Sequence, residues 1–234
     1  MMRDRYLIVT AGGSGTRMGA ALPKQFLELA GVPILHRTVA LFQEAVPGIN
    51  IITVLPADHL AAWRRYCQRA VLLPPQRLVQ GGFTRFHSVK NALQHVPDGV
   101  FVAVHDGVRP LLSVEKIREM FDRMETVRAL IPVVPMVDTL KVLDKAEDGT
   151  LLTGEGSLDR SRVYGAQTPQ IFRSEDLKAA YQQGYDTAFT DDASVAQKYG
   201  IPLSYIAGER YNIKITEPAD LALAEAVYSL SRRE

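Results

Sequence analysis

The sequence predicts an α/β fold built on a doubly wound, mostly parallel sheet, with a β-arm protruding from it. Three features carry that expectation. Short apolar runs alternate with segments of helical period along most of the chain, the rhythm of strand–helix–strand units. One run, Gly99 to Val104 (GVFVAV), is apolar nearly throughout, as central parallel strands covered on both faces are. Between about Val137 and Tyr164 the rhythm lapses into alternating apolar residues and turns, which marks the arm.

Taken in order, Leu7, Ile8 and Val9 form the first buried strand, and a glycine-rich loop follows it. Ile34, Leu35, Val39, Leu41 and Phe42 recur at helical spacing and predict a helix over 34–45, stopped at Gly48. Ile49–Leu55 is a strand ended by Pro56, and residues 57–70 are a helix in which Trp63 and Tyr66 pack. Arg77–Gln80 is a short strand, and Gly81-Gly82 turns the chain into a helix running to about Gln94. After the strand at 99–104, Ser113 is the expected cap of the next helix, followed by a strand over Val127–Val134. Turns at Asp148-Gly149 and Gly154-Glu155-Gly156 shape the arm. Such an arm cannot bury its own apolar face, so a partner subunit is the expected cover and a homodimer the expected assembly. A long loop folded on its own domain is the competing reading. Helices near 174–183 and 190–199, a strand at 203–206 and a helix at 217–231 complete the chain, with Thr216 as the last helix's cap and Glu217 and Pro218 in its first turn. Residues 1–234 read as one domain that contains the arm at 137–164.

Composition narrows the function classes. The chain has 234 residues, is 47% hydrophobic and 23% charged, and carries a net charge of +1, which suits an ordinary globular domain rather than a nucleic-acid binder or a polybasic membrane surface. Its single cysteine, Cys67, excludes an intrachain disulfide framework and cysteine zinc clusters. No apolar run approaches the roughly 20 residues of a membrane span. The N-terminus enters a strand without the apolar core of a signal peptide. The cytoplasm is the expected location.

The glycine-rich loop carries the first chemical signal. Glycines at 12, 13 and 15 remove the Cβ atoms that would hold a bound group away from the backbone, so their N–H groups can line an anion cradle. Arg17 and Lys24 add full positive charge, and a polyphosphate suits the site. The loop is not a P-loop, because no Gly-Lys-Ser/Thr closes it. Nor is it a dinucleotide fingerprint, because Met18 stands where Gly or Ala is required. A plain turn with two solvated cations is the competing reading. With Pro23-Lys24 behind it, the pattern Ala-Gly-Gly-x-Gly-x-Arg-Met is similar to the signature of sugar-nucleotide pyrophosphorylases.

Other constellations sit where strand ends should meet. The run His105-Asp106-Gly107-Val108-Arg109-Pro110 leaves a buried strand at its carboxyl end, where open α/β sheets hold ligands. Asp106 is placed to support a hydrated Mg²⁺ on a triphosphate, or else to cap the turn at Gly107. Arg109 offers a fork for a phosphate or carboxylate. His105 is either packed under the turn or catalytic. In Gly81–Ser88 the glycine pair lets a ring approach the backbone and Ser88 can donate or accept at a base edge; a plain turn and cap explains the composition equally. Lys214, in Asn212-Ile213-Lys214-Ile215-Thr216, stands where an anion could be met. Thr139 and Arg160 lie on the arm, and Thr168 and Thr190 could line a remaining wall, although lone threonines are usually caps or surface residues.

In this order the motifs GGSGTRM, PKQF, HSV, HDGVRP, DTLK, LDR, TPQ, TDDAS and NIKIT resemble those of the 2-C-methyl-D-erythritol 4-phosphate cytidylyltransferases, from Val9 to about Glu225. The resemblance implies a Rossmann-like nucleotidyltransferase fold, formation of CDP-methylerythritol and pyrophosphate from CTP in non-mevalonate isoprenoid synthesis, a need for Mg²⁺, and a homodimer with an exchanged arm. It implies that Ala11, Gly12, Gly13, Gly15 and Arg17 hold CTP, that Lys24 contacts its phosphates, that Gly82 and Ser88 read the cytosine, and that Asp106 supports the metal. Arg109, Thr168, Thr190 and Lys214 would line the sugar-phosphate pocket, and Thr139 and Arg160 would reach in from the partner's arm. The chain departs from the family in three places. Ala11-Gly12-Gly13 stands for the frequent Ala-Ala-Gly, Phe83 for an acidic residue, and Tyr211 for an Asp of some relatives, which makes Asn212 the second candidate near the metal.

The residues suggest how such a reaction would run. A sugar phosphate, with a second pKa near 6, is already mostly dianionic at neutral pH and needs no general base. Stabilising the charge that grows at the α-phosphorus falls to preorganised cations, with Lys24, Lys214 and Arg17 as the catalytic set. Ribitol 5-phosphate cytidylyltransferase is the nearest rival, since its acceptor also carries a phosphate and several hydroxyls. A non-catalytic nucleotide-binding module is a rival from another class, and it would need fewer charged groups than Lys24, Asp106 and Lys214 supply.

Overall fold

The computed structural model describes residues 3–13, 23–71 and 73–231. Gly15 and Arg17 of the glycine-rich loop therefore lie outside the described residues. Strand β1 (Arg5–Thr10) shows why the sheet needs cover on both faces. Its Leu7 and Val9 pack into one core and its Ile8 into another, all three fully buried.

After β1 come a 3-10 turn (Lys24–Phe26), a small hairpin of β2 (Glu28–Leu29) and β3 (Val32–Pro33), and helix α1 (Ile34–Ala45) over the residues its periodicity predicts. Then β4 (Asn50–Leu55), α2 (Ala57–Arg69), β5 (Arg77–Gln80), α3 (Arg85–Leu93), β6 (Phe101–Asp106), α4 (Val114–Arg123) and β7 (Ala129–Pro135) continue the alternation. The Ser113 hydroxyl caps α4 by accepting from Lys116 N–H, as expected. The arm follows, with β8 (Leu143–Lys145) and β9 (Leu151–Thr153) as an antiparallel hairpin. The chain then returns through β10 (Tyr164–Ala166) and β11 (Gln170–Arg173) to α5 (Ser174–Ala180), α6 (Asp192–Tyr199), β12 (Ser204–Ala207) and α7 (Pro218–Ser231).

The main sheet runs in the order β10-β7-β11-β6-β1-β4-β5, with β12 also paired to β7. Neighbours β6, β1, β4 and β5 are parallel, as is β12 with β7, so the expected mostly parallel sheet is present. Along β6, Phe101 and Ala103 join the core under α1, α2 and α4, while Val102 and Val104 join the core under α3, α5 and α6. A third cluster, Leu29, Ile34, Val108, Ile215 and Ala224, sits beyond these strand ends, where α7 closes the molecule.

Three of the structure's departures from the sequence reading have a plain physical cause. β11 inserts antiparallel between β6 and β7, and four residues with partners distant in the chain leave no local period to read. Helix α6 starts at Asp192 because Asp191 forms a reciprocal cap with Ser194. Helix α7 starts at Pro218, so Glu217 stays outside it. There Asp220 reaches back to accept from the Thr216 hydroxyl and from the N–H groups of Thr216 and Glu217. Among the described residues no helix is long and apolar enough to cross a membrane.

Candidate active site

Parallel pairing brings the functional strand ends into line. Thr10 at the end of β1 pairs in register with Asp106 at the end of β6, and Leu55 of β4 pairs with Gln80 of β5. The chain therefore leaves β1, β5 and β6 at one edge. A hollow opens there, walled by Ala11, Gly12 and Gly13 after β1, and by Gly82, Phe83 and Ser88 around the start of α3. Lys24, Asp106 and Lys214 line the same hollow.

Each wall has a local cause. The turn at Lys24–Phe26 is pinned to the first loop by buried Gln25, whose Nε2 donates to Ala11 O at 2.9 Å. It is also pinned to α2 by the Phe26 ring, stacked 5.8 Å from Trp63. Lys24 thereby crosses Gly13, where a Cβ would lie 3.5 Å from Lys24 Cε. At the base of α3, Gly82 N–H donates to Ser88 Oγ at 3.1 Å, and Ser88 Oγ donates to Thr84 O at 2.9 Å. Gly82 tolerates no side chain, because a Cβ there would stand 2.4 Å from His87 Cβ. Lys214 follows from alternation in Ile213-Lys214-Ile215. Ile215 is buried against Val108 and its N–H donates to Val108 O at 3.0 Å, which turns Lys214 toward the hollow.

Asp106 is the electrostatic centre. Lys214 Nζ lies 3.0 Å and Arg109 Nε 3.3 Å from Oδ2, while Arg85 Nε lies 3.8 Å from Oδ1. Burial alone would push this carboxyl up. Arg85, Lys214 and Arg109 together outweigh burial and hold it far below the usual carboxylate range. Burial likewise pulls Arg85 down, but Asp192 first and then Asp106 lift it above the ordinary guanidinium value.

Several expected residues stand behind this hollow instead of lining it. Arg109 reaches Asp106 and donates from Nη1 to Asn212 O at 2.6 Å, so it braces the carboxylate from behind. Thr168 is buried, and its hydroxyl accepts from Asp106 N–H at 3.0 Å and meets His105 Nδ1 at 3.1 Å. His105 is itself fully buried and its Nε2 meets Arg109 O at 3.0 Å, so both ring nitrogens are engaged within the protein. That is the packed alternative for His105, and it removes this ring as a base. Asn212 is fully buried, with its Nδ2 on Thr168 O at 2.8 Å, away from the hollow's lining. Thr139, Arg160 and Thr190 are exposed in the single chain, and Arg160 Nη1 donates to Val137 O at 2.9 Å. Sequence reasoning missed Thr10 and Arg85, which both line the hollow. Arg85 lay inside the Gly81–Ser88 cluster, but a cation opening a helix reads as solvated until its partners are known.

The donor set bears on a metal. Among the described residues no group of three or more His, Cys, Asp or Glu side chains converges. Among the described residues, Asp106 is the one carboxylate that lines the hollow. One carboxylate suffices for a Mg²⁺ that keeps its waters and arrives on substrate phosphates, and it does not suffice for a cage made of protein alone.

Comparison with known proteins identifies a family. The family model described as IspD: 2-C-methyl-D-erythritol 4-phosphate cytidylyltransferase matches residues 6–229. The proteins of that name from Porphyromonas gingivalis and Phocaeicola vulgatus are 49% and 42% identical to this chain, each over 96% of it and over 98% and 99% of their own lengths. Two solved structures share its shape. The 4-diphosphocytidyl-2C-methyl-D-erythritol synthase of Anaerococcus prevotii superposes with a TM-score of 0.78 at 26% identity, covering 97% of this chain and 99% of that one. The 2-C-methyl-D-erythritol 4-phosphate cytidylyltransferase of Thermus thermophilus gives 0.72 at 28% identity, covering 98% of this chain and 100% of that one. With a match that spans nearly the whole chain, and the strand-end hollow built from the motifs that suggested it, the chain belongs to the 2-C-methyl-D-erythritol 4-phosphate cytidylyltransferase family.

Proposed function

We propose that this chain transfers the cytidylyl group of CTP to the phosphate of 2-C-methyl-D-erythritol 4-phosphate and releases pyrophosphate. Family membership gives the reaction. One observation of the structure carries it to these residues: Lys24 and Lys214, from opposite ends of the chain, line one hollow together with Asp106, which Lys214 pairs with.

Cytosine recognition follows from the turn at α3. The Ser88 hydroxyl spends its proton on Thr84 O and one lone pair on Gly82 N–H, which leaves an acceptor facing the hollow. An acceptor suits the exocyclic amine of cytosine and repels the carbonyl that uracil has in its place. Ala11, Gly12 and Gly13 offer backbone to the phosphates, with Gly15 and Arg17 assigned to the same cradle by the family motif. The acceptor's phosphate oxygen attacks the α-phosphorus of CTP, a P–O bond forms, and the bond to pyrophosphate breaks. The attacking oxygen is already ionised at neutral pH, which accords with the burial of His105. Lys24, Lys214 and Arg17 stabilise charge at the α-phosphorus. A Mg²⁺ carried on the triphosphate and held at Asp106 would shield the charges of the two anions. Asp106 keeps Lys214 aimed into the hollow, and Arg109 and Thr168 hold Asp106 in place.

The acceptor's remaining wall is assigned to Thr190 and to Thr139 and Arg160 of a second subunit's arm. The arm leaves Leu143, Leu151, Leu152 and Leu158 about half exposed or more in the single chain, which supports a homodimer that covers them. A soluble nucleoside triphosphate as donor suits a cytoplasmic enzyme.

The test is pyrophosphate release from CTP and Mg²⁺ with each acceptor. Release with 2-C-methyl-D-erythritol 4-phosphate well above that with ribitol 5-phosphate is expected. The reverse preference would move the chain to the ribitol reaction, and CTP binding without release from either would make it a binding module. Arg160→Ala should weaken the acceptor about 10–100-fold, the worth of one charge-assisted contact, while CTP affinity measured by calorimetry holds. Mixing Arg160→Ala with Lys24→Ala subunits should restore activity, because one site of the mixed dimer then has both groups. Equal loss for both substrates, or no restoration, would return Arg160 to the arm's own structure.

A further inference from the structure

Arg85 opens α3 directly after its cap, Thr84, and its guanidinium is shared between carboxylates from distant parts of the chain. Nη2 donates to Asp192 Oδ2 at 2.6 Å, and Nε lies 3.8 Å from Asp106 Oδ1. Asp192 is fully buried at the first turn of α6, and its other oxygen accepts from the Tyr181 hydroxyl at 2.6 Å. Tyr181 is buried too, stacked on Phe86 with ring centroids 4.7 Å apart. The anchor of Arg85 is therefore rigid, while Arg85 itself still lines the hollow.

Stability alone does not account for this arrangement. Apolar residues of similar volume commonly serve a fold as well as a buried ion pair or better. The pairing of Asp106 points to another use. Its Oδ1 faces Arg85 and the Thr10 hydroxyl, 3.5 Å away, and its Oδ2 faces Lys214 and Arg109. Each oxygen has its own set of partners. Without Arg85, Oδ1 would keep only the long Thr10 contact, and the carboxylate could turn about its last side-chain bond and offer both oxygens to Lys214. The charge of that lysine would then be spent on Asp106, not on substrate.

We propose that Arg85, fixed by Asp192 and Tyr181, is a positioning residue that sets the orientation of the Asp106 carboxylate, so that Lys214 and an incoming metal-bound triphosphate meet one defined oxygen. The inference rests on the reading of Asp106 as the metal-side carboxylate given above. The brace also ties three parts of the site together. α3 carries the base-reading turn, β6 ends in Asp106, and α6 begins beside Thr190. Partners that orient a ligating group from behind are typically worth about 10–100-fold in metal affinity or activity.

The experiment measures Mn²⁺ binding by electron paramagnetic resonance in the presence of α,β-methylene-CTP, alongside kcat, for Asp192→Asn, Tyr181→Phe and Arg85→Lys. Asp192→Asn keeps the shape and removes the anchoring charge, and Arg85→Lys keeps the charge and removes the fork. Both should weaken Mn²⁺ about 10–100-fold and lower kcat, and for Asp192→Asn, at a position that does not line the hollow, CTP binding without metal should stay within about twofold. Tyr181→Phe loses one hydrogen bond and should shift Mn²⁺ affinity in the same direction by less. A merely structural brace would lower the melting temperature and leave Mn²⁺ affinity and kcat at wild-type values in the folded fraction; that result overturns the proposal. So does failure of all three variants to fold, which would make the network a support of the fold. A wild-type protein that binds Mn²⁺ and nucleotide but transfers nothing would refute the proposed reaction, and the order of Mn²⁺ affinities among the variants would still decide on the brace.

Discussion

Lys24→Ala is expected to lower kcat about 10²–10³-fold, the usual loss when one preorganised group facing developing charge is removed, with the circular dichroism spectrum and melting temperature close to wild type. The structure separates the two effects. What holds the Lys24–Phe26 turn in place is Gln25, donating to Ala11 O, and Phe26, stacked on Trp63, and neither uses the lysine ammonium. The ammonium's stem lies over Gly13, and Lys24 shares the hollow with Lys214. Its charge also lowers the Asp220 carboxyl, chiefly held down against burial by Thr216 and Glu217, so a small change near α7 accompanies the substitution. The loss should fall on kcat more than on KM, since charge at the α-phosphorus grows only as the bond forms. Pre-steady-state release of pyrophosphate from CTP and 2-C-methyl-D-erythritol 4-phosphate measures it. Turnover within a few-fold of wild type would take Lys24 out of the chemistry, and a rise in KM with kcat unchanged would make it a binding residue only.

Why was Lys24 legible in the sequence when Arg85 was not? The Gly-rich loop, Pro23-Lys24 and the end of the strand carrying Asp106 follow from local pattern, because a parallel sheet delivers its strand ends to one edge whatever the connections are. Helix α1 over 34–45 and the Ser113 cap of α4 are local in the same sense. Arg85 acquires its meaning from Asp192 and Asp106, and no local period reports such a contact. β11 was illegible for the same reason, since its four residues are a strand only because β6 and β7 leave a gap of one strand's width. The division between lining and supporting residues was hidden too. Arg109 and Thr168 are polar residues beside a motif, and only burial shows that they serve Asp106 from behind. The arm was legible as a departure from the rhythm, and two of its short segments, β8 and β9, pair as a hairpin.

Acidification should destabilise this protein well before Asp106 protonates, and His105 is the cause. The partner of its Nε2 is a carbonyl, Arg109 O, which only accepts, so Nε2 carries the proton and Nδ1 accepts from the Thr168 hydroxyl. That hydroxyl in turn accepts from Asp106 N–H, which joins the turn at 105–109 into one hydrogen-bonded chain. A second proton on the ring has no room in this chain. Burial, offset only in part by Arg109 O and Asp106, lowers the His105 pKa from 6.5 to about 4. Between those values the unfolded chain binds a proton that the folded one does not, so stability falls as pH drops from about 6.5 toward 4. The full difference is on the order of 3 kcal/mol. Asp106 behaves in the other sense. Its depressed carboxyl contributes stability that is complete above the unfolded value of 3.8 and is lost only below it, so the fall between pH 6.5 and 4 is not its doing. His36, lowered by burial and by Arg37, adds a smaller share in the same direction. Urea unfolding at a series of pH values from 7.5 to 4 measures the slope, and NMR titration of the His105 ring should show one neutral tautomer down to about pH 5. His105→Gln should be less stable at pH 7.5 yet much flatter with pH. If that variant keeps the wild-type slope, or the His105 ring titrates near 6.5 in the folded protein, the hydrogen-bonded chain through Thr168 does not hold it neutral.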